Sequence, residues 1–168
     1  MDLSALRAAL DLKVLLIENG HPKITVGLNG SAELLGHPGF FKTMMAELAR
    51  RNLSPKDVLI EVLETVVFDD ISVSNPLVQT VQQLHDAGIA TLLDDFGTGH
   101  AGLTHLATLA VNGVKIDRSL TCNILNDPTS AKIISMMFEL CRDLGLKVVT
   151  EGIETDEQAQ AITDIGGT

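Results

Sequence analysis

Apolar residues follow two alternating periodicities along this chain. Short, nearly continuous apolar runs indicate β-strands that are buried on both faces, as in parallel sheets. We predict five such strands, at residues 23–28, 58–63, 89–94, 113–116 and 147–150. Between them, apolar residues recur at spacings of three and four, which is typical of amphipathic helices. The sequence therefore predicts a regular alternation of strand and helix.

The predicted helices have recognisable boundaries. A first helix covers residues 3–18 and ends at Asn19-Gly20, and two others carry the apolar stripes of segments 40–48 and 77–84. A further helix extends from a capping turn at residues 126–130 to about residue 144. No linker or low-complexity tract divides the chain, so residues 1–168 form a single domain. The pattern predicts an α/β fold with a parallel sheet, either doubly wound or a TIM-type barrel.

Polar residues recur at the carboxyl end of all five predicted strands. In chain order they are Asn29, Glu61, Glu64, Asp94, Asp95, Lys115, Asp117, Glu151 and Glu154. For any one of them, helix capping or simple solvation is the safer interpretation. Five strands in succession make coincidence a poor explanation, because ligands bind at the carboxyl edge of barrels and open α/β sheets alike. We therefore expect these side chains to form one site.

The adjacent carboxylates Asp94 and Asp95 indicate what that site binds. Side chains alternate along a strand, so both can face the site only where the strand ends and the backbone turns. Such a pair repels itself unless a positive group, usually a divalent cation, lies nearby. Oxygen atoms of Asn, Glu and Asp suit Mg²⁺ or Mn²⁺, and Lys115 could neutralise a phosphate or a metal-bound hydroxide. The chemistry predicts metal-assisted hydrolysis of a phosphoester.

Composition narrows the range of partners. The net charge of -10 and the absence of Trp and Tyr argue against polymeric DNA or RNA, which needs basic surfaces and stacking aromatics. No apolar run approaches the roughly 18–20 residues of a membrane span. Cys122 and Cys141 lack metal-binding or redox spacing and are expected to be reduced thiols in a cytoplasmic protein. The five histidines contain no pair typical of a zinc site.

Five motifs resemble those of the EAL domain family, in order and in spacing. They are LNGS at 28–31, IEVLET at 60–65, LDDFGTGHAGLTHL at 93–106, VKIDRSL at 114–120 and EGIET at 151–155. The resemblance extends from about residue 5 to the end of the chain. It implies a modified TIM-type barrel that hydrolyses cyclic di-GMP to the linear dinucleotide pGpG with two Mg²⁺ or Mn²⁺ ions.

The resemblance also implies a role for each polar residue. Asn29, Glu61 and Asp94 resemble ligands of one metal ion, and Asp95 resembles a ligand of the second. Lys115 matches the lysine that touches the attacking water, and Glu151 matches a glutamate that acts as general base or additional ligand. Three further carboxylates are expected to support the site or its loops: Glu64, which matches a glutamate that fixes the loop after Asp95, Asp117 and Glu154.

Departures from the family pattern lead to a second set of expectations. The Glu-Ala-Leu strand and the closing Gln-Gly-Tyr strand are absent, so we expect an incomplete barrel with open edges that pair with another chain or a missing segment. A homo-oligomer or a fused regulatory domain is compatible with this expectation. Leu63 replaces a common threonine, and His100 replaces a common tyrosine. We expect these 168 residues by themselves to show impaired activity.

Three functional interpretations therefore stand. The first is a cyclic di-GMP phosphodiesterase. The second is a degenerate EAL module that binds cyclic di-GMP or a protein partner without turnover, favoured by the lost metal ligand but not by the retained Lys115 and Glu151. The third is an unrelated metal-dependent barrel enzyme, which would explain carboxylates at strand ends but not their order.

Overall fold

A computed structural model describes residues 3–64, 75–97, 106 and 109–167. Its five strands form one sheet in which every neighbouring pair is parallel and the spatial order equals the chain order. A doubly wound sheet would reverse direction partway along, so the described strands form an arc of a TIM-type barrel. The strands are β1 (Val26–Gly30), β2 (Val58–Leu63), β3 (Ala90–Phe96), β4 (Gly113–Ile116) and β5 (Lys147–Thr150).

In the described ranges, helices lie between β1 and β2, between β2 and β3 and between β4 and β5, and most of the helices begin after a capping side chain. Asp127, for example, accepts hydrogen bonds from the amides of Thr129 and Ser130 and begins the helix that precedes β5. No helix in the described ranges is long and apolar enough to cross a membrane. The helices are α1 (Leu3–Glu18), α2 (Ala32–Leu35), α3 (Phe40–Arg50), α4 (Pro76–Asp86), α5 (Arg118–Thr121), α6 (Pro128–Asp143) and α7 (Asp156–Asp164), with a 3₁₀ turn at Pro55–Asp57.

The two faces of the sheet differ in character. One face is packed under the helices and carries the fully buried Ile60, Leu93 and Val114. The opposite, open face carries half-buried and exposed side chains, among them Glu61 and Lys115. The period-2 alternation of a strand therefore separates the core from the polar residues.

Strands β2, β4 and β5 have the bounds that the sequence predicts, whereas the bounds of β1 and β3 differ from the predicted ones. The first strand covers Val26–Gly30 rather than 23–28, so Asn29 lies inside it and pairs with Glu61. The third strand covers Ala90–Phe96 rather than 89–94, so Asp94 lies inside it and Asp95 belongs to it instead of following its end. Helix α7 was not predicted, although Thr155 and Gln158 form a capping box at its start.

Buried Lys13 explains the late start of β1. Its side chain is 1% exposed and its Nζ lies 2.9 Å from Oδ1 of Asp57, just before β2. The same ammonium donates to the carbonyls of Pro22 and Ile24, at 2.7 and 2.6 Å. The segment before β1 is therefore held by a side chain of α1 rather than by the sheet ladder.

We predict that Lys13→Met lowers the free energy of unfolding by about 2–3 kcal/mol, because Asp57 and two carbonyls lose their shared donor. Asp57 is partly exposed, which keeps the expected loss below that of a fully buried pair. Urea denaturation followed by circular dichroism measures the change. The matched control is Lys23→Met, since Lys23 is exposed. Equal stability of the two variants would contradict the role of Lys13.

Candidate functional site

Neighbouring side chains of a regular strand project from opposite faces, but a β-bulge in β3 changes this alternation at Asp94 and Asp95. Leu93 pairs with Val114 and Phe96 pairs with Ile116, so β3 advances three residues while β4 advances two. Asp95 takes up the extra residue with a φ of 56°, in the left-handed region that non-glycine residues rarely adopt. Strained backbone of this kind is concentrated at functional sites.

Lys115 lies at the centre of the site. Its Nζ is 2.9 Å from Oε2 of Glu61, 2.9 Å from Oδ1 of Asp94 and 2.7 Å from Oε1 of Glu151. These carboxylates come from β2, from β3 and from the residue after β5, so one ammonium joins three parts of the sheet. Burial alone would lower the pKa of Lys115, but hydrogen bonds with Glu151, Glu61 and Asp94 outweigh it and raise that pKa above its ordinary value. Lys115 is therefore charged at neutral pH.

Asp95 belongs to the same charge cluster. Burial, followed by the charges of Asp94, Asp117 and Glu151, raises the pKa of Asp95, and Lys115 only partly offsets this. In the described region, the Lys115 ammonium contacts three carboxylates, those of Glu61, Asp94 and Glu151, so the site carries excess negative charge. That excess, and a donor set made of hard oxygen atoms, fit a divalent cation such as Mg²⁺ or Mn²⁺.

Asn29 lies beside Glu61 in the ladder between β1 and β2. Together with Asp94 they line a cavity of about 560 Å³ on the open face of the sheet. Gly27, also in the cavity wall, would bring a Cβ to within 3.3 Å of Oε1 of Glu61. The absence of a side chain at Gly27 therefore leaves room for the Glu61 carboxylate.

Glu64 is fully buried and holds the chain just after the aspartates. Its Oε2 accepts a hydrogen bond of 3.0 Å from the amide of Gly97. Gly97 has a φ of 99°, and a Cβ there would meet Met137 at 3.0 Å and Leu120 at 3.1 Å. The remaining residues of the glycine loop, Thr98, Gly99 and His100, lie outside the described residues.

The last two predicted residues, Asp117 and Glu154, both lie near the start of a helix. Asp117 accepts from the amide of Ser119 at 2.9 Å and caps α5, and its hydrogen bonds with Ser119 lower the pKa of Asp117. The side chain of Glu154 is exposed, while its main-chain amide donates to Oε1 of Gln158 at 2.7 Å.

Sequence reasoning missed the glycine that positions Glu151. Gly152 has a φ of 71°, and a Cβ there would lie 2.6 Å from Cβ of Arg118. The amide of Glu151 donates to the carbonyl of Ile116, which extends the contact between β4 and β5 by one residue. The signal was present in the sequence, because a glycine directly after a candidate catalytic residue often permits a close backbone approach.

The described residues contain no group of three or more His, Cys, Asp or Glu side chains already arranged to hold a metal ion. The Lys115 ammonium lies instead among the oxygens of Glu61, Asp94 and Glu151. By donor type and charge, Asn29, Glu61, Asp94 and Asp95 are the residues that could hold one.

Comparisons with known proteins agree on one family. The chain is 33% identical over 152 residues to the bifunctional diguanylate cyclase/cyclic di-GMP phosphodiesterase MucR of Pseudomonas aeruginosa, covering 90% of this chain and 22% of that protein. It thus spans about a fifth of this relative's length. The structure of the MucR phosphodiesterase in complex with c-di-GMP has a TM-score of 0.86 and 31% identity, over 97% of this chain and 65% of that one.

Two further structures support the same assignment. The EAL domain of Mycobacterium smegmatis DcpA has a TM-score of 0.88 at 31% identity, over 96% of this chain and 71% of that one. A manganese/cy-diGMP complex of Klebsiella pneumoniae BlrP1 has a TM-score of 0.81 at 30% identity, over 93% of this chain and 39% of that one. A calcium/cy-diGMP complex of the same protein has also been solved. Because the family model of the EAL domain matches residues 1–167, this chain belongs to the EAL domain family.

Proposed function

We propose that this chain carries the catalytic site of a cyclic di-GMP phosphodiesterase. The observation that carries the proposal is the junction at Lys115, where one ammonium contacts the carboxylates of Glu61, Asp94 and Glu151. The similarity to a phosphodiesterase solved with c-di-GMP supports the choice of substrate. A module that binds without turnover is the second candidate, and the experiments below separate the two.

Asn29, Glu61, Asp94 and Asp95 would hold two divalent cations, Mg²⁺ or Mn²⁺. Their hard oxygens, together with the excess negative charge of the site, support this assignment. The manganese and calcium complexes of BlrP1 provide the analogy within the family. When bound, such ions supply charge stabilisation at the phosphodiester and make water more acidic.

Glu151 would accept the proton of the attacking water. Its side chain remains partly accessible, and one of its oxygens is held 2.7 Å from Lys115. An acceptor must be oriented toward the proton that it abstracts, and this contact provides an orientation. Lys115 would then offset the negative charge that develops on the phosphate oxygens.

Glu64 and Asp117 would act as positioning residues. Glu64 fixes the amide of Gly97, two residues after Asp95, and so restrains the strained bulge. Asp117 caps α5, whose first residue Arg118 packs against Gly152 beside Glu151. Both contacts support the geometry of groups that touch substrate or metal rather than the chemistry itself.

We predict that Glu151→Gln abolishes turnover while leaving affinity for cyclic di-GMP nearly unchanged. The amide keeps the shape of the side chain but cannot accept a proton from water. Chromatographic separation of the linear product measures turnover, and calorimetry measures binding. Glu139→Gln, an exposed change on α6, is the control. If the wild-type protein binds cyclic di-GMP without hydrolysing it, the non-catalytic alternative is correct.

We predict that Lys115→Met lowers kcat by about 10²–10³-fold, the usual cost of losing one preorganised electrostatic group. Three carboxylates also lose their shared counter-ion, so the affinity for Mn²⁺ is expected to rise. Steady-state kinetics at saturating Mn²⁺ separate these effects. The matched control is Lys132→Met, which changes an exposed lysine of α6. A kcat of the Lys115→Met variant equal to that of the control would exclude Lys115 from the reaction.

We predict that Mn²⁺ affinity falls as the pH is lowered, and that the fall begins at a higher pH than the protonation of an ordinary aspartate would cause. The raised pKa of Asp95 places its protonation at a higher pH than that of an ordinary aspartate, and a protonated carboxyl competes with the metal. Asp95→Asn should weaken Mn²⁺ binding and make its pH dependence shallower. Calorimetric titration with Mn²⁺ alone at several pH values measures both. An unchanged slope would show that Asp95 is not a ligand.

A further inference from the structure

Leu63 is an exposed apolar residue in a cavity that carboxylates also line. It is the last residue of β2, it is 42% exposed, and it lies directly opposite Asp94 in the ladder. It lines the cavity of about 560 Å³ that Asn29, Glu61 and Asp94 also line. Its neighbour Val62 is fully buried on the other face of the sheet.

The exposure of Leu63 follows from strand alternation. Residues 61 and 63 project from the same face, so the geometry that brings Glu61 to the site brings Leu63 there as well. A single exposed leucine needs no explanation on an ordinary surface. At this position it adds apolar surface next to the carboxylates of Glu61 and Asp94.

A ligand that matches both features must carry charge and apolar surface a few ångströms apart. Inorganic phosphate offers only the charge. A nucleotide offers a phosphodiester for the polar end of the cavity and a flat aromatic base for the apolar side chain. Leu63 is therefore suited to contact the base of such a ligand and not its phosphodiester.

We propose that Leu63 is a specificity-determining residue that packs against a purine base of the bound dinucleotide. The proposal rests on the proposed function, because it presupposes a cyclic dinucleotide at the phosphodiester site. Covering the exposed part of one leucine side chain corresponds to a change of about 5- to 20-fold in affinity. This contact is made in the ground state, so it should affect KM and Kd far more than kcat.

The test compares Leu63→Ala, Leu63→Thr and Leu63→Met with the wild-type chain. Calorimetry with cyclic di-GMP in the presence of Ca²⁺ gives Kd, and kinetics with Mn²⁺ give kcat and KM. We expect the Ala and Thr variants to weaken binding about 5- to 20-fold and the Met variant to remain within about twofold of wild type, since Met keeps the apolar surface. Affinity for inorganic phosphate should be the same in all four proteins.

The control is Leu12→Ala, which removes a comparably exposed leucine from the middle of α1 and should leave Kd unchanged. Equal dinucleotide affinity in the wild type and in the Ala and Thr variants would overturn the role of Leu63. Weakened binding of phosphate as well would also overturn it, because the change would then act through the polar groups. If the wild type binds cyclic di-GMP without hydrolysing it, the proposed catalysis fails while the binding data still decide on Leu63. If it does not bind the dinucleotide, both proposals fail.

Discussion

Mutual repulsion between carboxylates is the constraint on which the site depends. Glu61, Asp94, Asp95 and Glu151 converge at one end of the sheet, and the described residues place a single ammonium, that of Lys115, in direct contact with three of them. Like charges at such distances are unfavourable unless cations compensate them. The fold therefore concentrates negative charge at this edge of the sheet, and a bound divalent cation would neutralise part of it.

The backbone contributes to this convergence as much as the side chains do. Without the bulge between Leu93 and Phe96, strand alternation would direct Asp94 and Asp95 to opposite faces. The buried Glu64 holds Gly97 just beyond the bulge, and Gly152 allows the Glu151 segment to approach α5 closely. One contact connects the ends of β2 and β3 and the other connects the end of β5 to the helix that follows β4, so a change in either would alter the relative positions of the groups that it joins.

Much of the fold followed from local patterns, because β2, β4 and β5 are short runs rich in apolar residues and α6 follows a capping aspartate. The start of β1 could not be predicted in this way, since it depends on a tertiary contact of Lys13, a residue of the preceding helix α1. The bulge was equally hidden, because the sequence Asp94-Asp95 shows two charges but not their pairing with β4. The junction at Lys115 is a tertiary contact, so the sequence could indicate its members but not their shared hydrogen bonds. The role of each residue remains a prediction.

Alternation along the strands also separates the stability of the protein from its chemistry. The helix-covered face contains Ile60, Val62, Leu93 and Val114, all fully buried, and it supplies the hydrophobic free energy of the sheet. The open face carries Asn29, Glu61, Leu63 and Lys115, which contribute little to that core. Substitutions on the open face can therefore change what is bound and how it reacts without dismantling the sheet. A substitution of Leu63 can for this reason alter the ligand surface while the buried packing on the opposite face stays the same.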